Sequence, residues 1–285
     1  MKLAAAVLLA TLAGAAPAKV HVGDFTYGLA AAGGSVWAGE MSTGDVVRID
    51  PKTGKVVGRV NAGARIFDVV ASPGAVWAVG NLSGTVARID THSGKLAKTI
   101  RVGFAPYAVA WGFGSAWVSN SGDGTVSRIT NDKVVKRIKI GVEPNGLTAY
   151  DGALWVSDHT LGKVVRIDPR TNRITGTVKL SGADWIVGYR GSLYVSQETN
   201  TVARVDVRTL RVTGRVSVDH NPLGSAMVGG KLWVPCIDGG RVDVVDPVTM
   251  KVERRLDGGL GPIVVLPAFG HEWVSQTADT ALRRF

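Results

Sequence analysis

From Thr26 to Phe285, apolar and polar positions alternate with a period of two in short runs broken by Gly, Pro, Asn and Asp. This is the pattern of half-buried strands, and no sustained helical period interrupts it. The runs also recur as a larger unit. "SVWAGEMSTGDVVRIDPKTGKVVGRV" begins at Ser35, "AVWAVGNLSGTVARIDTHSGKLAKTI" at Ala75 and "ALWVSDHTLGKVVRIDPRTNRITGTVKL" at Ala153. An aromatic residue marks each beat: Trp37, Trp77, Trp117, Trp155, Tyr194, Trp233 and Trp273, with steps of 40, 40, 38, 39, 39 and 40 residues. A fixed period of this length is the signature of a repeat architecture.

Each unit predicts four short strands, A to D. In the fourth, "NGLTAY" from Asn145 is A, "ALWVSD" from Ala153 is B, "KVVRID" from Lys163 is C and "RITGTVKL" from Arg173 is D. The C–D turn starts at an Asp and ends at a position needing positive φ, filled by Gly54 in the first unit and Asn172 in the fourth. Leu210 and Met250 occupy that position later, which predicts a different turn in those two hairpins. Strands A, B and C are written seven times, but D follows a C strand only six times. The seventh D strand is "AKVHVG", Ala18 to Gly23, ahead of the first A strand. These complementary ends predict an all-β, seven-bladed β-propeller of four-stranded antiparallel blades, closed by the N-terminal strand in the last blade. A linear solenoid would need capping repeats instead.

The repeated aromatic is expected to fill the wedge between neighbouring blades, because a large ring buries roughly 150–250 Å². The strand C arginines Arg48, Arg88, Arg128, Arg166 and Arg204 are expected to pair with carboxylates such as Asp50, Asp90, Asp168 or Asp206. Asp243 stands at the Arg place in the sixth unit, so that seam should differ.

The first residues read differently. Lys2 precedes an apolar, Ala-rich run ending at Ala16-Pro17-Ala18, the pattern of a secretory signal peptide over residues 1–18, with the propeller over 19–285. The run is too short for an ordinary membrane span, and no later run is longer. The expected location is therefore periplasmic or secreted. Cys236 is the single cysteine, which excludes an intramolecular disulfide framework. The formal charge of +10 admits nucleic acid or another polyanion as a partner. Much of it sits on strand D, at Lys55, Lys95, Arg137, Arg173, Arg211 and Arg254 among others, where charge blocks edge-to-edge aggregation.

Ligands of propellers usually meet the face carrying the B–C and D–A loops, and loops on a rigid scaffold are where binding residues concentrate. The residue three after each aromatic ends strand B there: Glu40, Gly80, Asn120, Asp158, Gln197, Cys236 and Gln276. This varied, mostly polar set is the first candidate ligand-facing layer. The D–A loops and strand A starts add Tyr27, Arg65, Phe67 and Tyr107 on one side, and Glu143, Asn145, Asp184, Trp185 and His220 on the other, with His159 and Glu198 beside them. An aromatic half facing an acidic half suits a small ligand with an apolar part and a hydrogen-bonding or cationic part. Sequence motifs for metal proteases, phosphate loops and nucleophile elbows do not occur.

The phrases "LWVS" and "VVRIDP", with the Gly-Val-Glu-Pro-Asn-Gly-Leu run from Gly141, resemble two groups of seven-bladed propellers: the YVTN repeat proteins and the virginiamycin B lyase-like (streptogramin lyase) group. The lyase resemblance implies a Trp-x-x-Glu on strand B, a Pro-His pair opening strand A and a bound divalent metal as cofactor. Trp37 and Glu40 match the first pattern. At the His slot the chain has Tyr27, Phe67, Tyr107, Asn145, Trp185, Leu223 and Ile263, and none of these is a neutral-pH base. The expectation is an exported, non-catalytic propeller that binds a small molecule, peptide or envelope protein on its loop face. The alternative is a metal-assisted lyase or hydrolase using His159 or His220.

Overall fold

The computed structural model describes residues 18–23 and 25–285. The leader expected over residues 1–18 lies outside these, apart from Ala18. Every regular element among the described residues is a strand, so none is a helix long and apolar enough to cross a membrane. The strands form seven four-stranded antiparallel sheets. Blade 1 consists of Thr26–Ala32, Ser35–Glu40, Asp45–Ile49 and Val56–Asn61 in hydrogen-bonded order, and blades 2 to 6 repeat that A-B-C-D order.

Blade 7 takes its first three strands from Pro262–Ala268, His271–Gln276 and Ala281–Arg284, and its outer strand from Ala18–His21. Ala18 lies opposite Arg284 and His21 opposite Ala281. The Val22 and Gly23 N–H groups donate to the Thr280 carbonyl at 3.0 and 3.2 Å, and Lys19 pairs with Asp279 at 2.9 Å. Val20, Val22, Leu282 and Trp273 share one buried cluster. The ring closure expected from the complementary ends is thus present.

The wedge aromatics behave as their size demands. Trp37, Trp117, Trp155 and Trp273 are fully buried. Each indole N–H donates to the carbonyl ending strand A of its own blade, at Ala32, Gly112, Tyr150 and Ala268. The strand C arginines do something other than expected. Arg48, Arg128, Arg166 and Arg284 lay their guanidinium groups over Trp37, Trp117, Trp155 and Trp273 at 4.7–5.8 Å from the ring centroid. The aspartates proposed as their partners instead cap the C–D turns: Asp50 accepts from the Lys52 and Thr53 N–H groups, and Asp206 from Arg208 and Thr209. Arg88 alone of the five pairs with an aspartate, Asp132 of the next blade.

Two further expectations are corrected. Val244, opposite Trp233, fills the Arg place in blade 6, while Asp243 is buried one position earlier. Leu210 and Met250 adopt the same left-handed turn as Asn172, at φ 58°, 54° and 58°. Their side chains pack into the cores of blades 5 and 6, which offsets a conformational cost of roughly 1–2 kcal/mol. Strand A of blade 6 is short, Ala226–Val228, with an isolated bridge between Pro222 and Cys236. Ahead of it a Cβ at Gly224 would lie 1.9 Å from the Ile263 carbonyl of blade 7, so only glycine fits.

The closing seam should be energetically costly to damage. Leu282→Ala, at a fully buried position, is expected to lower unfolding free energy by about 2–5 kcal/mol. Val57→Ala on an exposed outer strand should stay within about 0.5 kcal/mol. Chemical denaturation of the two variants checks the contrast.

Candidate functional site

The residues ending strand B are buried, and their polar atoms are turned into their own blades. Asp158 accepts from the N–H groups of Val142, Glu143 and Leu161 at 3.0, 3.4 and 3.0 Å. Asn120 accepts from Gly103 and donates to Thr125 and Ser127. Gln276 accepts from Leu260 and donates to Ala281; Gln197 donates to Ser181 and accepts from Thr201. Glu40 is held by Arg59, which also reaches the Val22 carbonyl, and by Thr43. These side chains are latches that hold the D–A loop against its blade, so their polar groups are not presented to the channel. The latch explains a nearby glycine: a Cβ at Gly141 would lie 1.7 Å from Asp158 Oδ2. Where the strand ends in Gly80 or Cys236, another residue takes over. Ser83 accepts from Ala64 N–H in blade 2, and Asp243 from Asp219 N–H in blade 6. Cys236 is fully buried, and burial, with the charges of Asp243 and Asp219, pushes its thiol up to about 12. It is an inert core residue rather than a reactive thiol.

The channel is ringed instead by the residue that follows the partner of each strand B end, which is the second residue of strand A in every blade but the sixth, where it follows the isolated Pro222–Cys236 bridge. Pairing fixes which residue that is. Thr26 lies opposite Glu40, Pro144 opposite Asp158 and Ala183 opposite Gln197. The ring is therefore Tyr27, Phe67, Tyr107, Asn145, Asp184, Leu223 and Ile263. Asp184, not Trp185, stands in the slot that the resemblance assigns to histidine. Trp185 lies one residue deeper and lines a cavity of about 400 Å³ in the channel, with Val109, Trp111, Leu147 and Met227.

The ring has two unlike halves. Phe67 lies between Tyr27 and Tyr107, with centroids 5.1 and 5.4 Å apart, and the two phenol oxygens are 3.3 Å apart. Burial, first of all, raises the pKa of both phenols, and the nearby Asp184 charge adds to this. Leu223 and Ile263 share a core cluster with Tyr27, with Phe67 packed against it. The exposed Arg65 side chain sits at the rim with its guanidinium over Phe67 at 5.4 Å.

The other half is acidic. Asp184 is 7% exposed. The Asn145 amide faces its carboxylate, yet Oδ1 is buried with no hydrogen-bond partner. Asn145 is oriented by Ser121, which donates to its Oδ1 at 3.2 Å. His159 lies 2.8 Å from Glu198 and 3.5 Å from Glu143 through its two ring nitrogens, and Thr160 donates to Glu143 at 2.5 Å. Burial pushes the Asp184 carboxyl up to about 7; His159 and Asn145 oppose the rise, Glu198 and Glu143 add to it. Burial lowers His159, but the Glu198, Asp184 and Glu143 carboxylates outweigh it and raise the imidazole overall. His220 lies apart, 72% exposed and paired with Asp219 at 2.8 Å.

Sequence reasoning missed two features. The first is Asp68, in strand A of blade 2, buried and accepting from Val69 and, across the blade seam, Val109 N–H at 2.9 Å each. Burial, opposed by those two donors, pushes it up to about 7. A carboxylate inside the apolar run "IFDVVA" was the available signal. The second is the backbone tie made by the residue after each latch, a set of which the sequence singled out only His159 and Glu198. Met41, Asn81, Ser121, His159, Glu198, Ile237 and Thr277 each donate a backbone N–H to the D–A loop residue preceding strand A. These residues, one place beyond the predicted layer, bring Ser121 to Asn145 and place His159 and Glu198 near Asp184.

The divalent metal implied by the resemblance does not fit this donor set. Among the described residues no group of three or more His, Cys, Asp and Glu is arranged to hold a metal ion, and both His159 ring nitrogens already face carboxylates.

Two substitutions separate latch from mouth. Asp158→Ala leaves three loop donors unpaired and should cost about 1.5–3 kcal/mol or more in stability. Asp184→Asn should act in the opposite direction. Its raised carboxyl means the fold disfavours the charged form, so the cost is absent below the unfolded carboxylate range near pH ~4 and complete above pH ~7. The variant should be more stable than the parent by about 2–4 kcal/mol at pH ~8, with the gap closing as pH falls to ~4. Thermal unfolding across that range measures it.

No family model matches the chain, and no curated protein matches it. Among solved structures, the fold is similar to Kuenenia stuttgartiensis hydrazine synthase, with a TM-score of 0.81 at 16% identity over 99% of both chains. It is similar to a streptogramin B lyase with a TM-score of 0.81 at 14% identity, over 94% of this chain and 96% of that one. These likenesses bear out the seven-bladed propeller as the fold, one shared with a streptogramin B lyase.

Proposed function

We propose that the protein is an exported, periplasmic or secreted, propeller that binds a small molecule at the loop-face mouth of its channel without turning it over. The observation carrying this reading is Asp184 Oδ1, a buried acceptor with no partner, in a ring whose other half is the Tyr27–Phe67–Tyr107 aromatic cluster. A buried carboxylate oxygen left unpaired costs on the order of a few kcal/mol, and a ligand donor would recover part of that. Asn145 and Glu143 would complete the polar side.

A lyase or hydrolase would need a base. His159 is held toward its protonated form by the surrounding carboxylates, which suits a positioning or charge-balancing group better than a proton acceptor. A peptide or envelope-protein partner is a second reading. It is supported by Leu82, Phe104, Leu161 and Leu260, each at least half exposed on the loops of the same face. A nucleic acid or other polyanion is disfavoured by three carboxylates at the mouth.

Crystallographic fragment soaking tests the placement. Hits should concentrate between Tyr107 and Asp184; a screen whose hits avoid the mouth would discard the site. Incubation with cyclic depsipeptide lactones and magnesium should leave them intact, and ring opening would restore the lyase alternative.

A further inference from the structure

Resting on that reading of the mouth, we infer that its ligand is an organic ammonium ion, with the cationic head against Asp184, Glu143 and Glu198 and an apolar flank against Tyr107 and Phe67. The sign of the charge at the mouth selects the class of ligand. Glu198 and Glu143 lie 2.8 and 3.5 Å from the two ring nitrogens of His159, and the Asp184 charge acts on the same imidazole, so three carboxylates surround it. Even with His159 fully protonated the cluster stays net negative. A mouth with low-dielectric walls and one sign of charge concentrates counter-ions.

Asp184 has an oxygen that lacks a donor. Its Oδ1 is buried and unpartnered; His159 and the Asn145 amide offset part of the loss of water, while Glu198 and Glu143 destabilise its charge. A neutral hydroxyl could fill the missing hydrogen bond but would leave the repulsion among the carboxylates in place. An ammonium group does both. A carboxylate or phosphate would add to the repulsion.

The opposite wall suits the same ligand. The Tyr27, Phe67 and Tyr107 rings pack at tilted angles of 57° and 35°, and an aromatic wall of this kind attracts cations and also covers an apolar body. The chain's own guanidinium already uses this wall: Arg65 lies over Phe67 and is otherwise without a charged partner among the described residues. Arg65 also adopts φ 61°, a left-handed conformation that costs a non-glycine residue roughly 1–2 kcal/mol. Arg65 thus sits as a like charge at the rim opposite the acidic cluster, where it disfavours a cation on the aromatic side alone and directs the head toward Asp184.

The test titrates the purified protein at pH ~8 with benzylamine, benzyltrimethylammonium, benzyl alcohol and benzoate. The signal is the ring resonances of the 5 tyrosines, of which Tyr27 and Tyr107 report on the mouth, while Tyr150 lines the deeper channel cavity and Tyr189 and Tyr194 lie outside it. The two cations should shift Tyr27 and Tyr107 selectively, with the alcohol and benzoate at least about tenfold weaker. Asp184→Asn should weaken benzylamine at least about tenfold. Arg65→Ala removes an exposed like charge and should tighten it by about two- to fivefold. Alcohol or benzoate binding at the mouth as tightly as benzylamine overturns the ammonium inference while leaving the small-molecule reading standing. So does unchanged benzylamine affinity in Asp184→Asn, or weaker affinity in Arg65→Ala. If none of the four probes moves Tyr27 or Tyr107, both readings fall together.

Discussion

The structure depends on one antiparallel pairing, that of Ala18–His21 with Ala281–Arg284. A propeller blade buries both of its faces against neighbours, so an open ring would expose two apolar faces at once. Closure removes both, and it does so with backbone hydrogen bonds between strands from opposite ends of the chain. The seam is also tied to the channel face. Arg59 of blade 1 bonds the Val22 carbonyl just beyond the closing strand and, from the same guanidinium, the buried Glu40 carboxylate. Glu40 in turn ends strand B beside the first D–A loop. The chain ends, the first latch and the mouth therefore form one connected structure, and the position of Tyr27 inherits its accuracy from the seam.

The fold was legible because its determinants are local and repeated. A period of about 40 residues, turn residues at constant offsets and complementary ends each depend on sequence spacing alone. Errors arose where tertiary packing overrides local preference. Leu210 and Met250 take the left-handed turn because each side chain gains a core, a gain that local turn chemistry does not reveal. The strand C arginines stack on tryptophan and leave Asp50 and Asp206 to cap turns. Which of two satisfactory partners a side chain takes depends on the geometry of the hairpin. The Asp243 shift is a register error, and one residue of slip in a strand exchanges its two faces.

The mouth was legible in composition and misread in depth. Glu143, Asn145, Asp184, His159, Tyr27, Phe67 and Tyr107 meet near the channel as their loop positions suggested. Glu40, Asn120, Asp158, Gln197 and Gln276 do not present their polar groups there, although they vary along the repeat as a binding layer would. Their variation has another cause. Any side chain that can tie the D–A loop serves as a latch, by accepting a loop N–H as Asp158 and Asn120 do, by donating to a loop carbonyl as Gln197 does, or through Arg59 as Glu40 does, and Ser83 or Asp243 can substitute from a neighbouring position. Variability among repeats therefore marked exchangeable hydrogen-bond chemistry rather than ligand contact.

A backbone repeated seven times gives each blade an equivalent place at the mouth, so the contrast between its two halves has to come from side chains alone. Those side chains carry costs that symmetry does not require. The residue before strand A is left-handed in six blades. It is glycine at Gly182 and Gly261, where the conformation is easy, but Phe25, Arg65, Ala105 and Asn221 in the others. Asp68 and Asp184 are carboxylates buried within the same ring of strands, both pushed toward neutrality by loss of water. Asp68 is compensated by two backbone donors, one from the adjacent blade, and so can be explained as a structural tie. Asp184 has the same burial and an oxygen with no partner. The two residues share an environment and differ in satisfaction, and that difference separates a group the fold uses for itself from one it holds ready for something else.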